Sequence, residues 1–293
     1  MSKYINPYTD FGFKKLFGEE ANKDLLIDFL NTLLPERHQI ETLKFRGVEQ
    51  RDSMASGHRT VLDLYCENSE GKPFIVEMQK EDQELFKDCS LYYATHPIQE
   101  QGRREKEWVR EQRENEWNVE LDTVYFIGIL DFVYDKNDPN PVLIREVSLK
   151  DQHGKEFYGK LRMFYIQMPV FDLKASQLKT RRDKWLYFLK YLPSLEHIPV
   201  IMQEKVFQKA FLTSEVAAMD KEDRDRYESE LDRYQIYQRT LETAKNEGVR
   251  KGIEVGKVEG KVDIAREMKK DGVNPQTIAK YTGLSVEEVE QLN

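Results

Sequence analysis

Three periodicities of apolar residues run along the chain. Leu25, Leu26, Phe29, Leu30, Leu33 and Leu34 recur at helical spacing until Pro35, which predicts a helix over residues 24–34. Residues 61–66 (VLDLYC) and 73–79 (PFIVEMQ) alternate instead. Between them lies Glu67-Asn68-Ser69-Glu70-Gly71-Lys72, so the pattern predicts two antiparallel strands and a turn. Residues 124–133 (VYFIGILDFV) are almost continuously apolar, as in a strand buried on both faces. Residues 41–50, 142–149 and 157–170 are further strand candidates. Helices are expected over 85–117, 183–192 and 205–212, and a long charged helix beyond Asp220.

In that last helix Gly248, Gly252, Gly256 and Gly260 repeat every four residues. Such a stripe fits either a weak linker helix or one that a second helix approaches closely. The interleaved Arg250, Lys251, Glu254, Lys257 and Glu259 exclude the membrane form of this motif. Residues 264–270, 275–280 and 286–292 read as three short helices, and Ser285 with Glu288 has capping-box spacing. The shape resembles a small helix-turn-helix unit. Glu287, Glu288 and Glu290 on its last helix repel phosphates, which favours contact with protein over DNA.

Composition narrows the class. The 293 residues are 39% apolar and 33% charged, a globular chain with a heavily charged surface. No apolar run is long enough to span a bilayer, and the first residues carry no apolar signal region, so a cytoplasmic protein is expected. Two cysteines, Cys66 and Cys89, make neither a disulfide framework nor a zinc site and are expected as reduced thiols. The net charge of −8 does not suggest a nucleic-acid binder, but its distribution permits one. Residues 63–120 hold 15 acids against 8 bases, where bound cations would offset the excess, and residues 121–190 hold 9 against 12. The mixed charges between Glu100 and Glu116 read as a solvated helix face. No phosphate-binding P-loop, H-E-x-x-H pair or serine or cysteine nucleophile motif occurs, so no nucleotide cofactor is expected. His58 reads as an exposed loop residue.

The chemistry lies in the predicted hairpin. Alternation puts Asp63 on a face with Val61 and Tyr65, and Glu77 on a face with Ile75 and Gln79. Leu62, Leu64, Cys66, Phe74, Val76 and Met78 form the opposite, apolar face. A turn centred on Glu70 sets position 63 across from position 77, and the apolar face pins that register. Two facing carboxylates repel, and a divalent cation reverses that sign. On pattern alone, an idle strand face bearing two acids accounts for the same residues.

Asp63, a turn, and then Glu77-Met78-Gln79-Lys80 resembles the D…(D/E)xK signature of PD-(D/E)XK nucleases. More narrowly it is similar to the Rpn family of recombination-promoting nucleases and transposases, which use an E-x-Q variant. The segment Thr9-Asp10-Phe11-Gly12-Phe13-Lys14-Lys15-Leu16-Phe17-Gly18, the Tyr92-Tyr93 pair, the 124–132 strand, residues 183–189 and the glycine-spaced tail share the resemblance. It implies Asp63 and Glu77 as metal ligands, with Asp10 as an added acid unless it serves as a helix cap. It implies Gln79 in the place of the usual lysine, able to orient water but bringing no positive charge. Arg59 and Lys80 are the substrate-binding candidates, although alternation turns Lys80 to the other face.

The resemblance therefore implies an α/β fold, a restriction-endonuclease-like mixed sheet flanked by helices with a helical C-terminal tail. The expected divisions are a nuclease-like domain over 1–215, a charged linker or dimerising helix over 216–262, and the small helical unit over 263–293. The implied activity is magnesium- or manganese-dependent cleavage of double-stranded DNA by a homodimer, linked to recombination or transposition. A non-catalytic scaffold on a degenerate nuclease fold and an RNA-cutting enzyme are the alternatives.

Overall fold

A computed structural model describes residues 2–46, 49–51, 59–61, 63–79, 85–112 and 120–292. The chain forms two compact units, Met1–Leu231 and Asp232–Asn293.

The first unit is built on a mixed sheet. Its strands are β1 (Leu43–Phe45), β4 (Leu64–Asn68), β5 (Pro73–Gln79), β6 (Val124–Leu130), β7 (Ile144–Lys150) and β8 (Glu156–Gln167), and a separate pair is formed by β2 (Glu49–Arg51) and β3 (Arg59–Val61). The order across the sheet is β1-β4-β5-β6-β8-β7. β5, β6 and β8 run parallel, and β1, β4 and β7 pair antiparallel to their neighbours. The central β6 is buried at every position, as its continuous apolar run predicts.

The turn between β4 and β5 follows from two residues. The Asn68 side-chain oxygen accepts from the backbone N–H of Glu70 and of Lys72. Gly71 takes φ +81°, a left-handed conformation that glycine adopts without a Cβ penalty. The resulting register pairs Leu64 with Val76 and Tyr65 with Ile75, as a turn centred on Glu70 requires.

Both faces of this sheet are covered. On one, Tyr65, Ile75, Phe126, Met163 and Tyr165 pack with Phe86 and Ala94 of α3 (Phe86–Gln112). Ser90 and Tyr165 share a buried hydroxyl hydrogen bond of 2.8 Å, and Tyr65 donates to Glu100 at 2.7 Å, so α3 is tied down along its length. On the other face Phe74 stacks on Tyr125, centroids 4.7 Å apart. There α1 (Asp10–Phe17) approaches Leu64 at Gly18, where an added Cβ would lie 3.0 Å from Leu64 Cδ2.

A second aromatic cluster joins the remaining helices. Phe17 of α1, Phe29 of α2 (Lys23–Asn31), Trp185 of α4 (Arg181–Tyr191) and Phe207 of α5 (Lys205–Thr213) meet with centroid distances of 5.0–5.9 Å. Each fully buried ring contributes about 1.5–3 kcal/mol. The Trp185 indole N–H is satisfied by Asp28 at 2.6 Å, which also takes the Arg181 guanidinium. The helix α6 (Lys221–Lys270) begins within this unit. Its first turns hold α1: the Asn6 backbone N–H donates to Tyr227, that of Phe11 to Glu230, and Lys15 pairs with Asp223.

Two strand expectations need correction. Residues 41–50 and 61–66 are each divided, into β1 and β2 and into β3 and β4. Phe45 pairs with Cys66 and Glu49 with Val61, so four steps along one side match five along the other. The two ladders are one residue out of step, and strict alternation does not run unbroken from Val61 to Cys66. Asp63 sits at a bend rather than inside a strand. Such irregularities re-aim side chains and break pairing.

The second unit holds the remainder of α6, α7 (Pro275–Thr282) and α8 (Val286–Gln291). Ala265, Ile278 and Val289 form its core. Asn274 caps α7 with Pro275 at its first position, Gly283 ends it at φ +72°, and Ser285 and Glu288 form the expected capping box on α8. Lys269 Nζ donates to the carbonyls of Val289, Glu290 and Leu292, closing the end of α8. Among the described residues, nothing lies within 4 Å of a Cβ built at Gly248, Gly252, Gly256 or Gly260.

Candidate active site

The end of the β4–β5 hairpin is closed by two carboxylates. The Asp63 backbone N–H donates to Glu77 Oε1 at 3.1 Å, and the Met78 backbone N–H donates to Asp63 Oδ2 at 2.7 Å. Each acid thus takes a backbone donor from the other's strand region. Where the regular ladder stops, side chains complete it.

Glu77 is buried, at 7% exposure. Its partner across the parallel β5–β6 pair is Gly128, whose own neighbour on β8 is Tyr165. A Cβ at Gly128 would come 3.1 Å from the Tyr165 ring, so glycine is what this crowded place beside the acid admits. Burial, and then the Asp63 charge, push the Glu77 carboxyl up to about 9. The hydrogen bond from Asp63 N–H and the charge of Lys14 act in the opposite sense, and Asp10 adds to the rise. Tyr93 of α3 also feels the pair: burial first, then Glu77, raise its hydroxyl above the ordinary range.

Asp10 therefore lies within electrostatic reach of Glu77, but not as a helix cap. Thr9 caps α1 by accepting from the Gly12 N–H, and Asp10 follows it in the first turn. Its carboxylate pairs with Lys14 at 2.8 Å. Gln79 is the last residue of β5, half-buried, with its carbonyl accepting from the Asp131 N–H at 3.0 Å. For Arg59 only the backbone, in β3, is described, and Lys80 and His58 lie outside the described residues. Of the charged α3 residues, Arg104 is engaged with Glu67 and Glu100, as a structural rather than a free cation.

The arrangement suits a hard divalent cation in its donor chemistry. Two carboxylates, one buried and one half-buried, share a place where negative charge is disfavoured, and a cation there relieves both burial and repulsion. Among the described residues no group of three or more His, Cys, Asp or Glu side chains is assembled to hold a metal. Asp63 and Glu77 form a two-carboxylate set, with Asp10 apart and neutralised by Lys14. Sequence reasoning missed Lys14 and Tyr93. Both belong to the segments that carry the family resemblance, but nothing in their spacing shows that another helix comes to the hairpin.

The family profile described as PD-(D/E)XK nuclease family transposase matches residues 7–244. That of the C-terminal HTH domain of the Rpn/YhgA-like nuclease family matches residues 258–293. Among curated proteins and solved structures none matches the chain. Among the described residues no helix is long and apolar enough to cross a membrane. With the first match spanning most of the chain and the mixed sheet flanked by helices in place, the chain belongs to the PD-(D/E)XK nuclease family transposases, with the Rpn/YhgA-like helix-turn-helix domain at its C-terminus.

Proposed function

We propose that this protein is a divalent-metal-dependent endonuclease that hydrolyses phosphodiester bonds of double-stranded DNA in the course of recombination or transposition. The observation that carries the reading is the reciprocal Asp63–Glu77 pair closing the β4–β5 hairpin, inside the segment matched to the nuclease family. Asp63 and Glu77 would hold magnesium or manganese, and Asp10 is proposed as a further acid of the site. When bound, the ion polarises a phosphoryl oxygen and lowers the pKa of water. Gln79 orients that water by hydrogen bonding. The water oxygen bonds to phosphorus, one phosphorus–oxygen bond to a sugar breaks, and the departing oxygen takes a proton. The products are one phosphate end and one hydroxyl end. The low charge of the Gln79 position points to a slow enzyme. Arg59 and Lys80 are proposed to contact the DNA backbone, and a homodimer would place two such sites on the two strands.

Plasmid nicking by the purified chain with magnesium or manganese tests this, beside Asp63→Asn and Glu77→Gln. Cleavage by the wild type and loss in both variants is the expected result. Equal cleavage by all three removes these acids from the chemistry. Cleavage of RNA alone replaces the substrate. Binding without cleavage under any metal leaves a scaffold on a nuclease fold.

A further inference from the structure

Hydrolysis of a phosphodiester adds negative charge to the phosphoryl oxygens, and a cation placed there by the protein stabilises that change. Among the described residues at the end of the hairpin, Asp63 and Glu77 are acids and Gln79, in the place of the usual lysine, is neutral. The cation comes from another element. Lys14 stands four residues from Asp10 on one side of α1, with 2.8 Å between its Nζ and Asp10 Oδ1. Lys15 turns away, pairing at 2.8 Å with both Glu19 and Asp223. The end of α1 adjoins β4 beside the site. A Cβ at Gly18 would lie 3.0 Å from Leu64 Cδ2, so the end of α1 packs on the residue after Asp63, on the sheet face opposite Tyr65 and Ile75. The Lys14 charge is felt at Glu77, and its side chain is about one-third exposed, at 35%. Its partner is a surface-accessible carboxylate, and pairs of this kind hold a lysine weakly. A lysine is also a compact charge on a flexible stem, free to leave such a partner for a phosphate.

We propose that Lys14, parked on Asp10 at the exposed flank of α1, is a catalytic residue that moves onto the scissile phosphate and supplies the positive charge that Gln79 lacks. The inference rests on the nuclease reading above. It divides the usual work of one strand lysine between two elements, Gln79 orienting water and Lys14 offsetting charge.

The test uses the full chain and the variants Lys14→Met, Lys14→Arg, Gln79→Lys and Lys14→Met with Gln79→Lys, beside Asp63→Asn. Single-turnover cleavage of duplex DNA is read with manganese, and manganese affinity is read separately by titration calorimetry. Lys14→Met is expected to slow cleavage roughly 100-fold, the scale for one lost charge-stabilising donor. Its manganese affinity stays equal or rises, whereas Asp63→Asn loses manganese. Lys14→Arg retains most of the rate, and Gln79→Lys restores at least about tenfold to the Lys14→Met protein by returning the charge to the strand. Cleavage by Lys14→Met within about threefold of the wild type, with Asp63→Asn inactive, overturns the assignment while leaving the nuclease reading intact. So does loss of manganese from Lys14→Met as severe as from Asp63→Asn. A wild type that binds manganese and cleaves nothing overturns the nuclease reading itself, and the role of Lys14 with it.

Discussion

Replacing Glu77 with glutamine should make the metal-free protein more stable at neutral pH. The residue sits at 7% exposure beside Asp63, and its carboxyl is pushed up to about 9, by burial first and the Asp63 charge second. The sign follows from where the proton is. Below the ordinary value of 4.5, folded and unfolded chains both hold it, and Glu77 adds no pH dependence. Above that value the unfolded chain loses the proton while the folded chain keeps it up to about 9. Unfolding then releases a proton, so stability falls as pH rises across the interval. Each pH unit costs about 1.4 kcal/mol, which brings the penalty at pH 7 to about 3 kcal/mol. Glutamine mimics the protonated form and keeps an oxygen for the Asp63 N–H. Urea unfolding in chelator should therefore give a stability difference between Glu77→Gln and the wild type that grows by about 3 kcal/mol from pH 4.5 to pH 7. Added manganese should raise the wild type more than the variant, because the variant keeps only the Asp63 carboxylate to gain from the cation. A stability difference that stays flat across this interval would refute the claim that Glu77 is strained by burial and by its neighbour.

Other substitutions probe the surrounding structure. Gly128→Ala puts a methyl group 3.1 Å from the Tyr165 ring and 3.3 Å from Phe126, and should cost about 1–3 kcal/mol in chemical denaturation. Lys269→Met removes the donor shared by three carbonyls at the end of α8, so hydrogen exchange should speed up in that helix and not in the sheet. Gly252→Ala should stabilise α6 by up to about 1 kcal/mol where the stripe faces water, and should instead break a dimer, seen by sedimentation, if a second helix occupies it. Charge reversal at Glu287 and Glu290 should tighten DNA binding and steepen its salt dependence, by about one in slope for each phosphate gained. An unchanged slope would mean that α8 stays clear of the duplex.

The fold was legible wherever a single element carries its own signal. Alternation and the Asn68–Gly71 turn fix the β4–β5 register, and the unbroken apolar run of 124–130 marks a strand buried on both sides. The Ser285–Glu288 box and Gly283 delimit the last helices without help from packing. The division of 61–66 was not legible, because it depends on how many residues the opposite strand spends over the same distance. Nor was the surrounding of Glu77. Gly128 lies far along the sequence and Tyr93 in the helix that follows β5, and only the parallel crossover and the docking of α3 bring them near. Thr9 rather than Asp10 caps α1, a one-residue choice that the sequence Thr-Asp leaves open.

The exchange of backbone bonds between Asp63 and Glu77 gives these acids an architectural duty that outlives any chemistry. A descendant that had stopped cutting would still keep an oxygen at each position to finish its hairpin. Either demand, folding or the proposed hydrolysis, would suffice to keep the pair. Alanine at either position would open the hairpin and silence the proposed reaction together. Asparagine and glutamine hold the hairpin shut while withdrawing the charge, and so separate the two duties at the bench.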